Sequence, residues 1–196
     1  MRYTSTELLN KLYAQTEKHI DKAISVWQTT PGAIFNHSAA AGKWSAAQCL
    51  EHLNSYSRYY LPAIEKALQA AQKPPAGIFK SGWLGNYFFQ LMLTDSAGNA
   101  RKKMKSPKYH RPPDTLNAVG GLTEFISQLE KLGTLLTLAQ QVNLNELKVP
   151  VSIAPFIKLK LGDTFLFYTA HIQRHVLQAD RALQAAGAIN KQSATF

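Results

Sequence analysis

Apolar side chains recur every three or four positions through four long stretches of this chain. That period matches the roughly 3.6-residue turn of an α-helix and restricts the fold more than any other feature. Leu9, Leu12, Tyr13, Thr16, Ile20, Ala23, Ile24 and Trp27 line one face of a first helix predicted over residues 5–27, which Pro31-Gly32 stops. The second helix is predicted over 45–72. Ser45-Ala46-Ala47-Gln48 forms a capping-box pattern at its start, and Pro62 inside it should kink or break it. The third is predicted over 114–142, with Asp114 as N-cap and Leu116, Val119, Leu122, Ile126, Leu129, Leu132, Leu136 and Val142 in period. Gly120, Gly121 and Gly133 weaken it, each by ~1 kcal/mol relative to alanine if fully helical. The fourth follows Pro150 and Pro155, is predicted over 162–186, and ends at Gly187 as a C-terminal cap.

Between Pro74 and Pro113 the period falters. Trp83, Leu84, Tyr87, Phe88, Leu91 and Met92 form an apolar stripe on a short helix, so residues 74–113 read as a long connection draped over the other helices. The stripe is expected to pack against the core or a second subunit. With few β-signals and no βαβ alternation, the expected architecture is all-α: a single domain over 1–196. It is a four-helix bundle with a long connection between helices two and three. The stretch from Gly82 to Leu93 is too short for a bilayer, and the first ten residues hold no apolar signal core, so the expectation is a cytoplasmic protein without a membrane span. The single cysteine, Cys49, forms no intramolecular disulfide and suits a reducing compartment.

His171 and His175 stand four residues apart in the fourth helix, which puts both imidazoles on one face, one turn apart, within reach of one ion. His52, from the second helix, completes a three-nitrogen site if the two helices are neighbours. Spacing alone leaves a plainer reading open, with two chance neighbours on a surface face and His52 buried against a backbone carbonyl. Cys49 could close the set as a fourth ligand, or pack as a small apolar residue. Tyr56, one turn past His52, either lines a pocket or packs. His19 sits at the edge of the first helix's apolar face and His37 and His110 fall in connections, so none is assigned to the metal. Glu51 and Asp180 flank the histidines on other helical faces, and no catalytic acid or base can be named.

Lys43-Trp44-Ser45-Ala46-Ala47-Gln48-Cys49-Leu50-Glu51-His52-Leu53 resembles the Trp-Ser…His-Leu signature that opens the second helix of the DinB-like superfamily. Gly162-Asp163-Thr164 through His171-Ile172-Gln173-Arg174-His175-Val176-Leu177-Gln178 is similar to that family's His-x-x-x-His helix. Phe79-Lys80, Trp83-Leu84-Gly85 and Lys105-Ser106-Pro107 look like a subgroup with a long connection between helices two and three. The resemblance covers nearly the whole chain, in order. It implies a four-helix bundle of the YfiT-type metal-dependent hydrolase kind, with a metal triad carried onto His52, His171 and His175. It also implies frequent dimers and, where an activity is assigned, thiol-dependent transferases or isomerases that use bacillithiol, mycothiol or a similar thiol.

The expected function is therefore a metal-dependent thiol transferase or hydrolase acting on a small-molecule substrate. Imidazole ligands suit zinc, nickel, copper or iron, with zinc or nickel expected, alongside a low-molecular-weight thiol such as bacillithiol. A non-catalytic scaffold stabilised by metal is the second reading. Nucleic-acid binding is the third. It is motivated by a net charge of +10, from 22 basic and 12 acidic residues, and by the run Arg101, Lys102, Lys103, Lys105, Lys108, Arg111. That run carries a single aromatic, Tyr109, and no helix-turn-helix, zinc-finger or single-strand-binding motif, which ranks this reading last.

Overall fold

The structure, a computed structural model, describes residues 1–102 and 104–187. It is mostly helical and carries two small antiparallel sheets. Strand β1 (Arg2–Thr4) leads into helix α1 (Ser5–Lys22), whose last turn relaxes into a π-helical segment, Ala23–Trp27. A one-turn helix, α2 (Gly32–Phe35), follows Pro31. Helix α3 (Ala46–Gln69) opens on the expected capping box. Ser45 Oγ accepts from Gln48 N at 3.2 Å, and Gln48 Oε1 accepts from Ser45 N at 3.0 Å. Pro62 does not break this helix.

The connection holds strand β2 (Ile78–Lys80), paired with β1 so that Tyr3 faces Phe79, and then helix α4 (Trp83–Met92). The cap of helix α5 (Ala118–Leu138) falls three residues later than expected, because Asn117 rather than Asp114 caps it: Asn117 Oδ1 accepts from Gly120 N at 3.0 Å. A Cβ on Gly120 would sit 2.8 Å from the Asn117 amide, so this glycine makes room for the cap. The α-helix ends at Leu138, with a 3₁₀ turn over Ala139–Gln141, short of Val142.

A hairpin of β3 (Lys148–Val151) and β4 (Ala154–Lys160) then enters helix α6 (Leu161–Ala185), and Gly187 terminates that helix with φ +76°. Neither sheet was expected. Pro150 and Pro155 masked the hairpin, although a two-stranded ladder tolerates proline because each strand is an edge.

Helix α3 packs against α5 and α6, α1 packs against the same two, and α4 lies on α6. Leu53 and Ile64 of α3, Leu132 and Leu135 of α5, and Phe165 and Leu183 of α6 are fully buried where these helices meet. Each such side chain contributes ~2 kcal/mol on leaving water. In the π-helical segment Trp27 is buried while Ile24 is exposed, as is Tyr13 further back on α1. Trp27 Nε1 and Lys22 Nζ both donate to buried Asp180, at 3.2 Å and 2.6 Å, fastening this segment to α6.

The short helix behaves as its apolar stripe predicts on one side only. Met92 is buried, whereas Trp83 and Tyr87 face outward. Asp163, buried at the first turn of α6, accepts from Ser81 Oγ at 2.6 Å and Gly82 N at 3.0 Å and so anchors the start of α4. Within the basic run, Lys103 lies outside the described residues, while Arg101, Lys102, Lys105 and Lys108 are exposed. No helix among the described residues is long and apolar enough to cross a membrane.

Candidate metal centre and its cavity

The contact between α3 and α6 brings His52, His171 and His175 together. Each offers a ring nitrogen within 4.8 Å of the others, and all three side chains are buried. His52 Nδ1 lies 2.6 Å from the backbone carbonyl of His110. A carbonyl only accepts, so Nδ1 carries the proton and the Nε2 lone pair is bare. That lone pair faces His171 Nε2 at 3.2 Å. Two nitrogen ligands ~2.05 Å from a tetrahedral ion stand about 3.3 Å apart, so the spacing fits a shared cation.

Burial keeps all three rings neutral. His52 is held down at about 4 by burial, with the surrounding charges of His110 and Arg174 acting in the same direction. His171 and His175 are held well below the ordinary imidazole range, again chiefly by burial and then by neighbouring charge. The neutral imidazole is the form that ligates a metal. The plainer reading, of core histidines bonded to backbone, accounts for His52 alone: Nδ1 of His171 and of His175 are buried with no hydrogen-bond partner among the described residues. The donor set thus fits a divalent cation such as zinc.

Cys49 is not part of this group; it is fully buried in the helix core, where burial pushes its thiol up. Glu51 is paired with Arg58, and Asp180 with Lys22, so both acidic neighbours are engaged elsewhere. His19 is buried on α1 and His37 is exposed in a loop; neither joins the cluster.

The cluster forms part of the wall of a cavity of about 490 Å³, between α3, α4, α6 and the hairpin. Tyr56 lines it, its ring centroid 4.4 Å from that of His171, and burial raises its phenol so that it stays protonated at neutral pH. Trp44 packs 4.9 Å from His52 and 5.9 Å from His175, giving the Trp-Ser motif a physical role beside the cluster.

Sequence reasoning missed His110. Its ring stacks on Tyr56 at 3.8 Å and meets Ser55 Oγ at 3.0 Å and Ser152 Oγ at 3.2 Å, and its carbonyl sets the His52 tautomer. Nothing local marks a histidine in a proline-rich connection for such a part; only the path of the chain does. Arg174, which lines the cavity between two of the histidines, was also given no role.

The DinB superfamily model matches residues 15–179, a span that includes all three histidines. No curated protein and no solved structure matches the chain. A family match over most of the length, with the Trp44-Ser45 turn and the paired histidines of α6 at one cluster, places this chain in the DinB superfamily.

Proposed function

We propose that this protein is a metal-dependent enzyme, a thiol transferase or hydrolase. In this reading His52, His171 and His175 hold one divalent ion, zinc or nickel, and a low-molecular-weight thiol such as bacillithiol serves as co-substrate. The observation that carries the reading is the trio of neutral, buried imidazoles converging at the wall of a cavity large enough for a small organic molecule. The ring of contacts among α1, α3, α5 and α6 supports a four-helix bundle as its frame.

A divalent ion in such a site supplies Lewis acidity, lowering the pKa of a bound thiol or water. The chain's own residues do the rest. The His110 carbonyl holds His52 in the tautomer that bares Nε2. Tyr56, protonated at neutral pH, has a hydroxyl able to donate a hydrogen bond to developing negative charge. Phe88, Phe167 and Tyr60 give the cavity apolar walls that limit water around a reactive thiolate. The absence of Cys49 from the cluster argues for an open coordination position rather than a closed structural site.

The test is turnover of an electrophile, monobromobimane, by zinc- or nickel-loaded protein in the presence of a small thiol. The expected result is a rate above the uncatalysed reaction that His175→Ala lowers by ~100-fold or more. Equal rates for wild type and variant would remove the proposal.

A further inference from the structure

We infer that the cavity beside the three histidines takes an organic carboxylate with an apolar body, and that Arg174 recognises the carboxylate. This rests on the enzymatic reading above and narrows it to a class of ligand.

Arg174 stands between His171 and His175 on α6, is only 9% exposed, and lines the cavity. Its Nη1 donates to the Leu91 carbonyl at 3.0 Å and its Nη2 to the Lys102 carbonyl at 3.1 Å, which fixes the guanidinium in place. These are neutral acceptors. Arg174 is in none of the ion pairs found among the described residues. Of the other two buried charged side chains, Asp180 is paired with Lys22 and Asp163 accepts from neutral donors, so among the described residues Arg174 is the buried guanidinium or ammonium with no counter-charge.

The rest of the cavity points the same way. Among the described residues no aspartate or glutamate lines it, whereas Lys43 and Lys105, both exposed, stand at its edge. Three neutral imidazoles add no negative charge, and a divalent cation there would only raise the positive potential. Between these cations the walls are apolar: Phe88, Leu91, Met92 and Phe167. One immobilised guanidinium suits a planar monoanion, because a carboxylate can use its remaining N–H donors, while a phosphomonoester presents more charge and more acceptors than one fork satisfies. The carboxylate can belong to the electrophile or to the thiol.

The probes are 4-phenylbutyrate, its uncharged amide and phenyl phosphate, together with N-acetylcysteine and its amide. They are titrated calorimetrically into chelator-treated and zinc-loaded protein. In wild type a carboxylate is expected to bind roughly tenfold tighter than its amide, and in Arg174→Gln the two should fall within about twofold, with Arg174→Lys intermediate. Preference in the phenylbutyrate pair assigns the carboxylate to the electrophile; preference in the N-acetylcysteine pair assigns it to the thiol.

Should Arg174→Gln fail to fold, the double variant Lys43→Ala/Lys105→Ala is expected to weaken carboxylate binding and flatten its salt dependence. The amide should be unaffected. No preference in either pair overturns the inference, and so does tighter binding of phenyl phosphate than of the carboxylate. Because the chelator-treated arm needs no metal, a protein that binds no zinc would sink the enzymatic reading while leaving this result standing.

Discussion

His52 Nε2 and His171 Nε2 face each other at 3.2 Å across the α3–α6 contact, although 119 residues of sequence separate them. With Nδ1 of His52 committed to the His110 carbonyl, the geometry leaves a lone pair aimed at a neighbouring imidazole nitrogen inside the protein. A cation at that point satisfies both nitrogens at once.

The division of labour between His52 and His110 can be separated by mutation. His52→Ala removes a proposed ligand and should abolish tight metal binding. His110→Ala keeps the backbone carbonyl but deletes the ring stacked on Tyr56 and its contacts to Ser55 and Ser152. Its expected effect is a loss of metal affinity of roughly 10-fold, in line with other groups that orient a ligating histidine. Competition with a chromophoric chelator measures both. Wild-type affinity in His110→Ala would deny that residue its positioning role.

Stability should fall in mild acid. His19 is held down at about 4 by burial first and then by the charge of Lys22. An unfolded chain takes up that proton near the ordinary imidazole value of ~6.5, so between these limits the unfolded state binds more protons than the folded one. Its contribution is therefore present above pH ~6.5 and is lost as pH falls towards about 4. The slope from one such group approaches ~1.4 kcal/mol per pH unit. In metal-free protein His52, His171 and His175 act in the same direction. Urea unfolding across pH 7 to 4 should show a smaller loss for His19→Gln than for wild type, and parallel curves would count against the assignment.

Gly85→Ala tests how tightly α4 docks. A Cβ at Gly85 would lie 2.1 Å from Asp163 Cγ, and Asp163 is buried and holds Ser81 and Gly82. Neither side can retreat without breaking those bonds, so the expected cost is ~1–3 kcal/mol, with weakened ligand binding because α4 supplies one wall of the cavity. Thermal unfolding reads the first effect. An unchanged melting temperature would mean that α4 is less closely seated than described.

Cys49→Ala separates the open site from a four-ligand one. Cys49 is fully buried outside the histidine group, with its thiol pushed up by that burial, so the variant should keep wild-type metal stoichiometry and the native wild-type thiol should resist alkylation. Loss of the metal on this substitution would restore the closed-site reading.

Much of the helical frame was legible because it is written in local pattern. The capping box at Ser45, the apolar period of α5 and the cap at Gly187 each need only a few neighbouring residues. The histidine trio was legible for a different reason: His171 and His175 share a helical face whatever surrounds them, and family resemblance supplied His52. What stayed hidden depends on tertiary context. The change from α- to π-helical winding at Ala23–Trp27 has no local mark in the sequence. The Arg2–Thr4 strand pairs with residues more than 70 positions away, and no local pattern announces such a partner. Asn117 outcompeted Asp114 as a cap because Gly120 leaves space for its amide, a detail of sterics rather than of propensity.

The central claim is that three imidazoles share one cation, and the most direct measurement is elemental analysis of freshly purified protein beside the variant with His52, His171 and His175 all replaced by alanine. The account predicts about one divalent metal ion per chain in the wild type and none above background in the folded variant. Metal-free wild type that also fails to take up zinc or nickel, or equal metal content in the two proteins, would contradict it.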